Sequence, residues 1–255
     1  MYQVKAKQRL GQHFLTDLGI AQEIVAALAP ETERVLEIGP GMGVLTQYLL
    51  QLPNTEVHAI ELDEESVAYL RQHFPELGSR LHAQDFLKTD LTLFMQPPFS
   101  IIGNFPYNIS SQILFKLLDY KEEIPELVGM FQKEVAERVA SKPGSRDYGI
   151  LSVLLQAYYD IEYLFTVHEE VFNPPPKVKS AVIRLRRNSC THLDCNEKQW
   201  KTLIKTAFNQ RRKTLRNSLK AFRFEESFTE EPIFQKRPEQ LSVADFVHLT
   251  QHLVK

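Results

Sequence analysis

The sequence has little of what stabilises a secreted or membrane-bound protein. Its 255 residues include only two cysteines, Cys190 and Cys195, too few for a disulfide framework or a zinc module, although His192 between them leaves a small metal site as an alternative. No apolar run reaches the roughly 20 residues that a membrane-spanning helix needs. The N-terminal stretch is basic but lacks the apolar core of a signal peptide. We therefore expect a cytoplasmic protein bound neither to a membrane nor to a metal ion.

Acidic residues are missing from one stretch of the chain. The formal net charge is −2, yet residues 198–223 contain nine Lys or Arg and no Asp or Glu. Basic residues gathered in this way can bind the phosphates of a nucleic acid, although a solvated helix face is the common alternative. We expect phosphate contacts from four residues of this stretch. They are Arg211, Arg212, Lys213 and Arg216.

Strand and helix patterns alternate along most of the chain. Apolar runs typical of strands occupy residues 34–39, 56–63, 80–86, 99–105, 126–132, 161–167 and 180–187. Helical patterns occupy residues 17–29, 43–52, 64–74, 110–120, 133–140 and 150–159. Short connectors between them predict an α/β fold with a mostly parallel sheet and helices on both faces. A ligand should then bind at the carboxyl ends of the strands.

The last part of the chain has a different pattern. A polar, aperiodic stretch at 187–197 is followed by helical periodicity near 197–208, 211–220 and 242–253. We therefore expect two domains. Residues 1–188 should form the α/β domain, and residues 189–255 a small all-helical domain that carries the basic stretch.

A glycine loop separates the first strand from the next helix. Gly39, Gly41 and Gly43 allow the backbone to approach a ligand closely, next to the free N–H groups of a helix start. Val44 stands in place of the last glycine of the spacing that dinucleotide-binding loops favour. Glu37 would repel a pyrophosphate but suits a sulfonium or ammonium group. This loop favours S-adenosyl-L-methionine over NAD, with a modified dinucleotide site or a ligand-free turn as alternatives.

Polar residues also end the next two strands. Glu61 can accept hydrogen bonds from both hydroxyls of a ribose. Asp85 can accept from the exocyclic amine of an adenine, while Phe86 packs near the ring. Each acid has an ordinary alternative as a helix cap or a turn former. Their succession at neighbouring strand ends is more specific than either residue alone and predicts one nucleoside site.

The fourth strand ends in the sequence Asn104, Phe105, Pro106 and Tyr107. The N6 amine of adenine is a weak nucleophile, so two acceptors that hold its N–H bonds would orient its lone pair. The Asn104 side-chain oxygen is one acceptor, and the Phe105 carbonyl, directed by Pro106, is the second. Tyr107 offers a face for stacking on the base. This arrangement predicts catalysis by orientation and electrostatics, with a plain Asn-x-Pro turn as the alternative.

A second aromatic residue stands before three prolines. Phe172 precedes Pro174, Pro175 and Pro176, which stiffen the segment. A rigid loop of this kind could place Phe172 over the other face of a flipped-out base. The alternative is a loop phenylalanine that covers the core.

Seven stretches of the sequence resemble, in order, the ribosomal RNA adenine N6,N6-dimethyltransferases. They are GQHFL, EIGPGMGVLT, IELD, QDF, NFPYNIS, VFNPPPKVKSAV and FNQRRKTLRNSL, within about residues 8–220. The glycine loop is shared by many methyltransferases, whereas the last three stretches are much narrower. The erythromycin-resistance rRNA methylases are similar in the catalytic half but modify large-subunit rRNA.

The resemblance implies an enzyme with a Rossmann-like methyltransferase domain and a helical RNA-binding domain. We expect a monomer, although the sequence does not fix the oligomeric state. It implies dimethylation of two adjacent adenosines near the 3′ end of 16S rRNA, late in small-subunit assembly. It also implies that Asn104 to Tyr107 present the target amine and that Phe172 stacks on the adenine. The family often has Asn where this chain has His13, whose backbone carbonyl could substitute. The implied cofactor contacts are His13, Leu15, Gly39, Glu61, Asp85 and Asn104.

Two other functions fit parts of this pattern. Another adenine N6 methyltransferase, acting on large-subunit rRNA or DNA, could use the same strand-end logic. A non-catalytic RNA-binding assembly factor could retain the fold of an ancestral cofactor-binding enzyme. The intact glycine loop, Glu61 and Asn104 favour an enzyme over an assembly factor.

Overall fold

A seven-stranded sheet forms the centre of the α/β part of the molecule. The computed structural model describes residues 4–254. Nine strands are present in this range: β1 (Phe14–Leu15), β2 (Arg34–Ile38), β3 (Glu56–Glu61), β4 (Leu81–Ala83), β5 (Ser100–Asn104), β6 (Glu126–Gln132), β7 (Tyr159–Val167), β8 (Phe172–Asn173) and β9 (Ser180–Arg187). The sheet has the order β4-β3-β2-β5-β6-β9-β7. The four pairs from β4 through β6 are parallel, and β6 pairs with β9 antiparallel.

Nine α-helices are found among the same residues: α1 (Leu18–Ala26), α2 (Thr46–Leu49), α3 (Glu64–His73), α4 (Ser110–Asp119), α5 (Lys133–Ala140), α6 (Ile150–Gln156), α7 (Glu197–Asn209), α8 (Leu215–Ser218) and α9 (Val243–Gln251). Asp17 starts α1 by accepting hydrogen bonds from the amides of Gly19 and Ile20, as its sequence position predicts. In the described part of the chain, no helix is long and apolar enough to cross a membrane.

Burial explains why the parallel strands form. In β2 every residue after Arg34 is buried, and in β3 every residue after Glu56 is buried. Continuously buried runs of this kind, mostly apolar, belong to parallel strands that are covered on both faces. The predicted α/β fold with a mostly parallel sheet is therefore confirmed. The carboxyl ends of β2, β3, β4 and β5 meet at one edge of this sheet.

The chain divides into two compact units. Within the described residues, the first runs up to Ala136 and resumes with Ile161–Arg187, and the second comprises Glu137–Asp160 and resumes at Asn188. This division differs from the predicted one in the segment 137–160, which was expected in the catalytic domain. The polar stretch near residue 188, which the sequence predicted as the domain boundary, coincides with the last of the three boundaries, between Arg187 and Asn188.

Two predicted helices are shorter than their apolar patterns. α2 begins only at Thr46, because Gly43 has a φ of +78°, which a helix cannot contain. α8 begins at Leu215 rather than at residue 211, because Thr214 has extended backbone angles. The pair β1–β8, with Leu15 opposite Phe172, was not predicted, since two residues are too few to show a period.

Candidate active site

A cleft lies at the carboxyl ends of β2 to β5, within the first unit. It encloses about 1220 Å³ of space that is partly open to solvent. Its lining includes every residue that the sequence predicted to contact the cofactor. These residues are His13, Leu15, Glu37, Gly39, Gly41, Glu61, Asp85, Phe86 and Asn104. The prediction that successive strand ends form one site therefore agrees with the geometry.

The glycine loop lies against two neighbours. Gly39 and Gly41 have φ values of +66° and +57°, a region that is unfavourable for residues with a side chain. A Cβ atom at Gly41 would lie 2.8 Å from the Phe14 ring. The Gly41 amide donates to Glu61 Oε2 over 3.1 Å. The loop therefore depends on glycine for both its conformation and its packing.

Glu61 is held in place at the end of β3. Its side chain is buried, and Oε1 accepts a 2.8 Å hydrogen bond from the Asp63 amide while Oε2 accepts from Gly41. Burial raises the pKa of Glu61. Each carboxylate oxygen can accept more than one hydrogen bond, so the carboxylate keeps acceptor capacity for ligand hydroxyls.

Glu37 is the most deeply buried carboxyl group in the cleft lining, 1% exposed. Thr46 Oγ1 donates to its Oε2 over 2.6 Å. Burial raises the pKa of Glu37 to about 8. At neutral pH this group is therefore largely protonated, whereas the sequence argument treated it as a carboxylate. A cation bound beside it would favour release of the proton.

Asp85 and Phe86 form a turn after β4. Asp85 Oδ1 accepts from the Leu87 amide over 3.0 Å, and Lys88 Nζ lies 3.5 Å from Oδ2. Asp85 thus shapes the turn, as the alternative of a turn former predicts. It also lines the cleft. Phe86 is buried at 5% exposure and also belongs to the cleft lining.

Asn104 is fixed by its amide nitrogen. Asn104 Nδ2 donates to the His13 carbonyl oxygen over 2.9 Å. The His13 ring is held separately, since its Nδ1 lies 2.8 Å from the Pro174 carbonyl oxygen and therefore donates to it. Because Nδ2 points at residue 13, the remaining polar atom of the Asn104 side chain is the acceptor Oδ1.

Phe105 anchors the loop that follows Asn104. Its ring is 1% exposed and fills the space left by Gly103 and Gly129, where an added Cβ atom would lie 2.6 Å and 2.0 Å from ring atoms. The Phe105 amide donates to the Met130 carbonyl over 3.1 Å. The ring is thus part of the core.

Pro106 and Tyr107 complete the loop. Ser110 Oγ and the Ile109 amide both donate to the Pro106 carbonyl over 3.2 Å. The Tyr107 hydroxyl lies 2.6 Å from Ser180 Oγ, and burial raises the Tyr107 pKa. Its ring centroid is 5.2 Å from that of His13. All four residues predicted to present the target amine line the same cleft.

The N-terminal segment contributes more to the cleft than the sequence suggested. Leu10, Gly11 and Gln12 belong to its lining. Lys7 pairs with Asp63, and also with Glu65 at 3.1 Å. The sequence does not predict the Lys7–Asp63 pair, because the two partners lie 56 residues apart and leave no local pattern.

Phe172 is buried in the core of the first unit. It is 4% exposed, belongs to the apolar core around Leu15, and pairs with that residue across β1 and β8. Among the described residues that line the cleft, Phe172 is absent. Its ring supports the β1–β8 pair, which carries Leu15 and directly follows His13. This burial is what a phenylalanine that covers the core would show, and stacking on a flipped-out base stays a prediction.

The four predicted phosphate contacts fall into two kinds. Arg211 donates to the Arg146 carbonyl and lies 3.9 Å from Glu239, and Arg216 donates to the Thr229 carbonyl over 2.8 Å. Arg212 and Lys213 are exposed. The first two therefore also hold the second unit together, whereas the exposed pair presents its charge to solvent.

Comparison with known proteins decides the family. The model of the family described as "Ribosomal RNA adenine dimethylase" matches residues 3–253. The chain belongs to this family. It is an rRNA adenine dimethyltransferase that uses S-adenosyl-L-methionine as cofactor, as the resemblance implied. The cleft fits this ligand, because it combines a glycine cradle, a buried strand-end carboxyl with acceptor capacity and an apolar wall.

Relatives of this dimethyltransferase share most of its length. A "Ribosomal RNA small subunit methyltransferase A" from Cytophaga hutchinsonii is 59% identical, covering 99% of both chains. One from Flavobacterium johnsoniae is 57% identical, covering 99% of this chain and 97% of its own.

Two solved structures have the same fold. A dimethyladenosine transferase from Plasmodium falciparum superposes with a TM-score of 0.76 at 28% identity, covering 93% of this chain and 96% of its own. The 23S rRNA methyltransferase ErmE superposes with a TM-score of 0.68 at 25% identity, covering 93% of this chain and 99% of its own.

Proposed function

We propose that this dimethyltransferase modifies two adjacent adenosines near the 3′ end of 16S rRNA in the small ribosomal subunit. It acts as a cytoplasmic monomer late in subunit assembly. Support comes from relatives named for the small subunit, 59% identical over nearly the whole chain. The exposed pair Arg212 and Lys213 supplies positive charge for the rRNA backbone.

The strand-end residues hold the cofactor, and S-adenosyl-L-methionine supplies an electrophilic methyl group when bound. Glu61 accepts from the ribose hydroxyls, because its oxygens keep acceptor capacity in a buried setting. Asp85 accepts from the adenine amine, beside the apolar wall that includes Phe86. Gly39 and Gly41 allow the main chain to approach the ligand, and Glu37 supplies negative charge once it has lost its proton.

Asn104 orients the amine that is methylated. The single observation that carries this role is the hydrogen bond from Asn104 Nδ2 to the His13 carbonyl, which leaves Oδ1 to accept from the target N6 amine. An acceptor that holds one N–H bond of the amine fixes the orientation of the nitrogen, and so the direction of its lone pair. The residue thus acts through orientation, and the amine reacts as the neutral species. No strong base is needed, because the proton leaves only after transfer, when the methylated nitrogen carries a positive charge and releases that proton readily to water.

The next three residues present the base. Because the Phe105 ring is in the core and its amide is bonded to Met130, its carbonyl is the group that can accept from the second N–H bond. Pro106 restricts the direction of that carbonyl. The ring of Tyr107, held through Ser180, offers a stacking face. For the second transfer, the monomethylated amine must rotate and present its remaining hydrogen to Asn104.

A substrate comparison tests this function. We expect methyl transfer from S-adenosyl-L-methionine to unmethylated small subunits, with mass spectrometry showing two dimethyladenosines in neighbouring positions of 16S rRNA. Methylation of large-subunit rRNA or of DNA in preference to small subunits would favour the rival methyltransferases. Binding of small subunits without any turnover would favour an assembly factor.

A further inference from the structure

Lys116 lies outside the residues that the mechanism uses, yet its ammonium contacts the cofactor-binding turn. It projects from α4 and is half-buried. Lys116 Nζ donates to the carbonyl oxygens of Phe86 and Thr89, each over 2.5 Å. Nζ also lies 4.9 Å from the centroid of the Phe86 ring, within the range of a cation–π contact.

The turn that Lys116 contacts needs such a partner. The amides of Lys88 and Thr89 both donate to the Asp85 carbonyl, over 3.0 Å and 3.1 Å, so the chain makes a single helical turn after Asp85. The carbonyls within and at the end of a helical turn lack partners inside it. A cation can satisfy such groups and interacts favourably with them.

Nearby carboxylates and main-chain carbonyls interact favourably with the charged form of Lys116. The carboxylates of Asp85, Asp90 and Asp119 favour the charged form, whereas burial, the larger effect, lowers the pKa of Lys116. A half-buried ammonium that has lost some of its water needs acceptors. The Phe86 and Thr89 carbonyls are those acceptors, so the side chain has one well-defined position.

The same helix also begins at the catalytic loop. α4 starts at Ser110, whose hydroxyl donates to the Pro106 carbonyl. Lys116 lies six positions after Ser110 in the helix, which corresponds to a rise of about 9 Å. One rigid element therefore contacts the loop that presents the target base at its start and the turn that receives the cofactor adenine further along.

We propose that Lys116 is a positioning residue for the cofactor, which fixes the Asp85–Phe86 turn against α4 and so sets its place relative to the Asn104 loop. The proposal rests on the proposed function of the cleft. Lys116 touches neither reacting group. Its loss should weaken cofactor binding through disorder of the turn and leave the chemical step at saturating cofactor largely intact.

The test replaces Lys116 by methionine, which keeps most of the side-chain length and removes the charge and the donors. The full-length Lys116→Met protein should bind S-adenosylhomocysteine about tenfold more weakly by titration calorimetry, the change expected for loss of hydrogen bonds from a charged group. The KM for cofactor should rise to a similar degree, with kcat on small subunits nearly unchanged. Hydrogen exchange at the Lys88 and Thr89 amides should become faster.

Lys177→Met is the matched control. Lys177 is exposed and does not belong to the cleft lining, so its replacement removes an equal charge without altering the Asp85–Phe86 turn. We expect its affinity and exchange rates to stay near those of the original protein. Lys116→Arg should recover much of the affinity, because a guanidinium can donate to two carbonyls.

The possible results distinguish a failure of the proposed function from a failure of the role proposed for Lys116. If the unaltered protein fails to bind S-adenosylhomocysteine, the proposed function fails. If it binds but Lys116→Met retains the same Kd and the same amide exchange, the role of Lys116 is refuted. Equal weakening in Lys116→Met and Lys116→Arg would also count against it. Should Lys116→Met not fold, the same measurements on Lys116→Gln decide.

Discussion

The cleft of the first unit and the basic surface of the second use polar residues in opposite ways. In the cleft, Asn104 and Glu61 are each bonded to main-chain groups before any ligand arrives. On the basic surface, Arg212 and Lys213 extend into solvent. Methyl transfer depends on atomic positions, whereas attraction of a polyanion depends on the number and density of charges.

The difference teaches where each function tolerates change. A group that acts through geometry loses its function when its bond to a neighbour is lost, even if its charge is preserved. A group that acts through charge should be replaceable by another of the same sign. Arg211 and Arg216 fall between these cases, because they are basic but also donate to carbonyls of their own unit.

The largest expected effect is at Asn104. Asn104→Ala should lower the single-turnover rate of methylation by about 10²–10³, the loss typical of one oriented polar group in an active site, and should barely change the Kd for cofactor. Asn108→Ala is the control, since it also removes a side-chain bond to the N-terminal segment, from Nδ2 to the Arg9 carbonyl at 3.4 Å. Parallel losses of rate and cofactor affinity in Asn104→Ala would contradict the orienting role.

The glycine loop should give the next largest effect. Gly41→Ala introduces a side chain at a φ of +57° and a contact of 2.8 Å with Phe14. We expect cofactor affinity to fall by about 10- to 100-fold, as for a loss of 1.4–2.8 kcal/mol. Gly144→Ala has a comparable positive φ, +89°, with no atom within 4 Å, and should affect stability alone. An equal loss of affinity in both variants would mean that distant strain, not the cleft, is responsible.

The pH dependence of stability should reveal the buried Glu37. Burial raises its pKa from 4.5 to about 8, so the folded protein keeps a proton that the unfolded chain releases. This stabilisation is complete below about pH 4.5 and is lost as pH rises toward 8. The slope should reach at most about 1.4 kcal/mol per pH unit. Urea unfolding of Glu37→Gln between pH 5 and 8 should lack this slope, and an unchanged slope would assign it to other groups.

The smallest effect should come from the exposed basic pair. Replacing Arg212 and Lys213 together by glutamine should reduce the slope of log affinity for rRNA against log salt by about 1.4, or roughly 0.7 for each phosphate contact. Arg71→Gln with Lys88→Gln removes the same charge from exposed positions of the first unit. If both double variants flatten the slope equally, net charge rather than the basic surface controls binding.

Sequence patterns were sufficient where a local period or a strand end carries the signal. β6 and β9 begin and end where the apolar runs 126–132 and 180–187 do, because a buried strand between turn residues has clear limits. The cleft residues were found together because parallel strands end at one edge of a sheet. Asn104 was predicted because its amide stands at such an edge, two residues before a proline.

Contacts between distant segments could not be read in the same way. Phe172 sits in a stretch that suggests a rigid loop, but its partner Leu15 lies 157 residues earlier, and only the folded chain shows that they pair. The raised pKa of Glu37 depends on burial that a strand-end position does not reveal. The bonds of Lys116 join two segments separated by almost 30 residues, and neither segment has a pattern that predicts the other.

The ring of Phe105, seated between the glycines of two adjacent strands, has a consequence for how substrate arrives. A loop pinned to its own sheet in this way is costly to displace, so it cannot reach out toward a stacked helix. We therefore expect the conformational change to occur in the rRNA. The target nucleotide must unstack from its neighbours and enter a cleft whose loop does not move. Turnover should then respond more to how easily the local RNA structure opens than to motion of the protein.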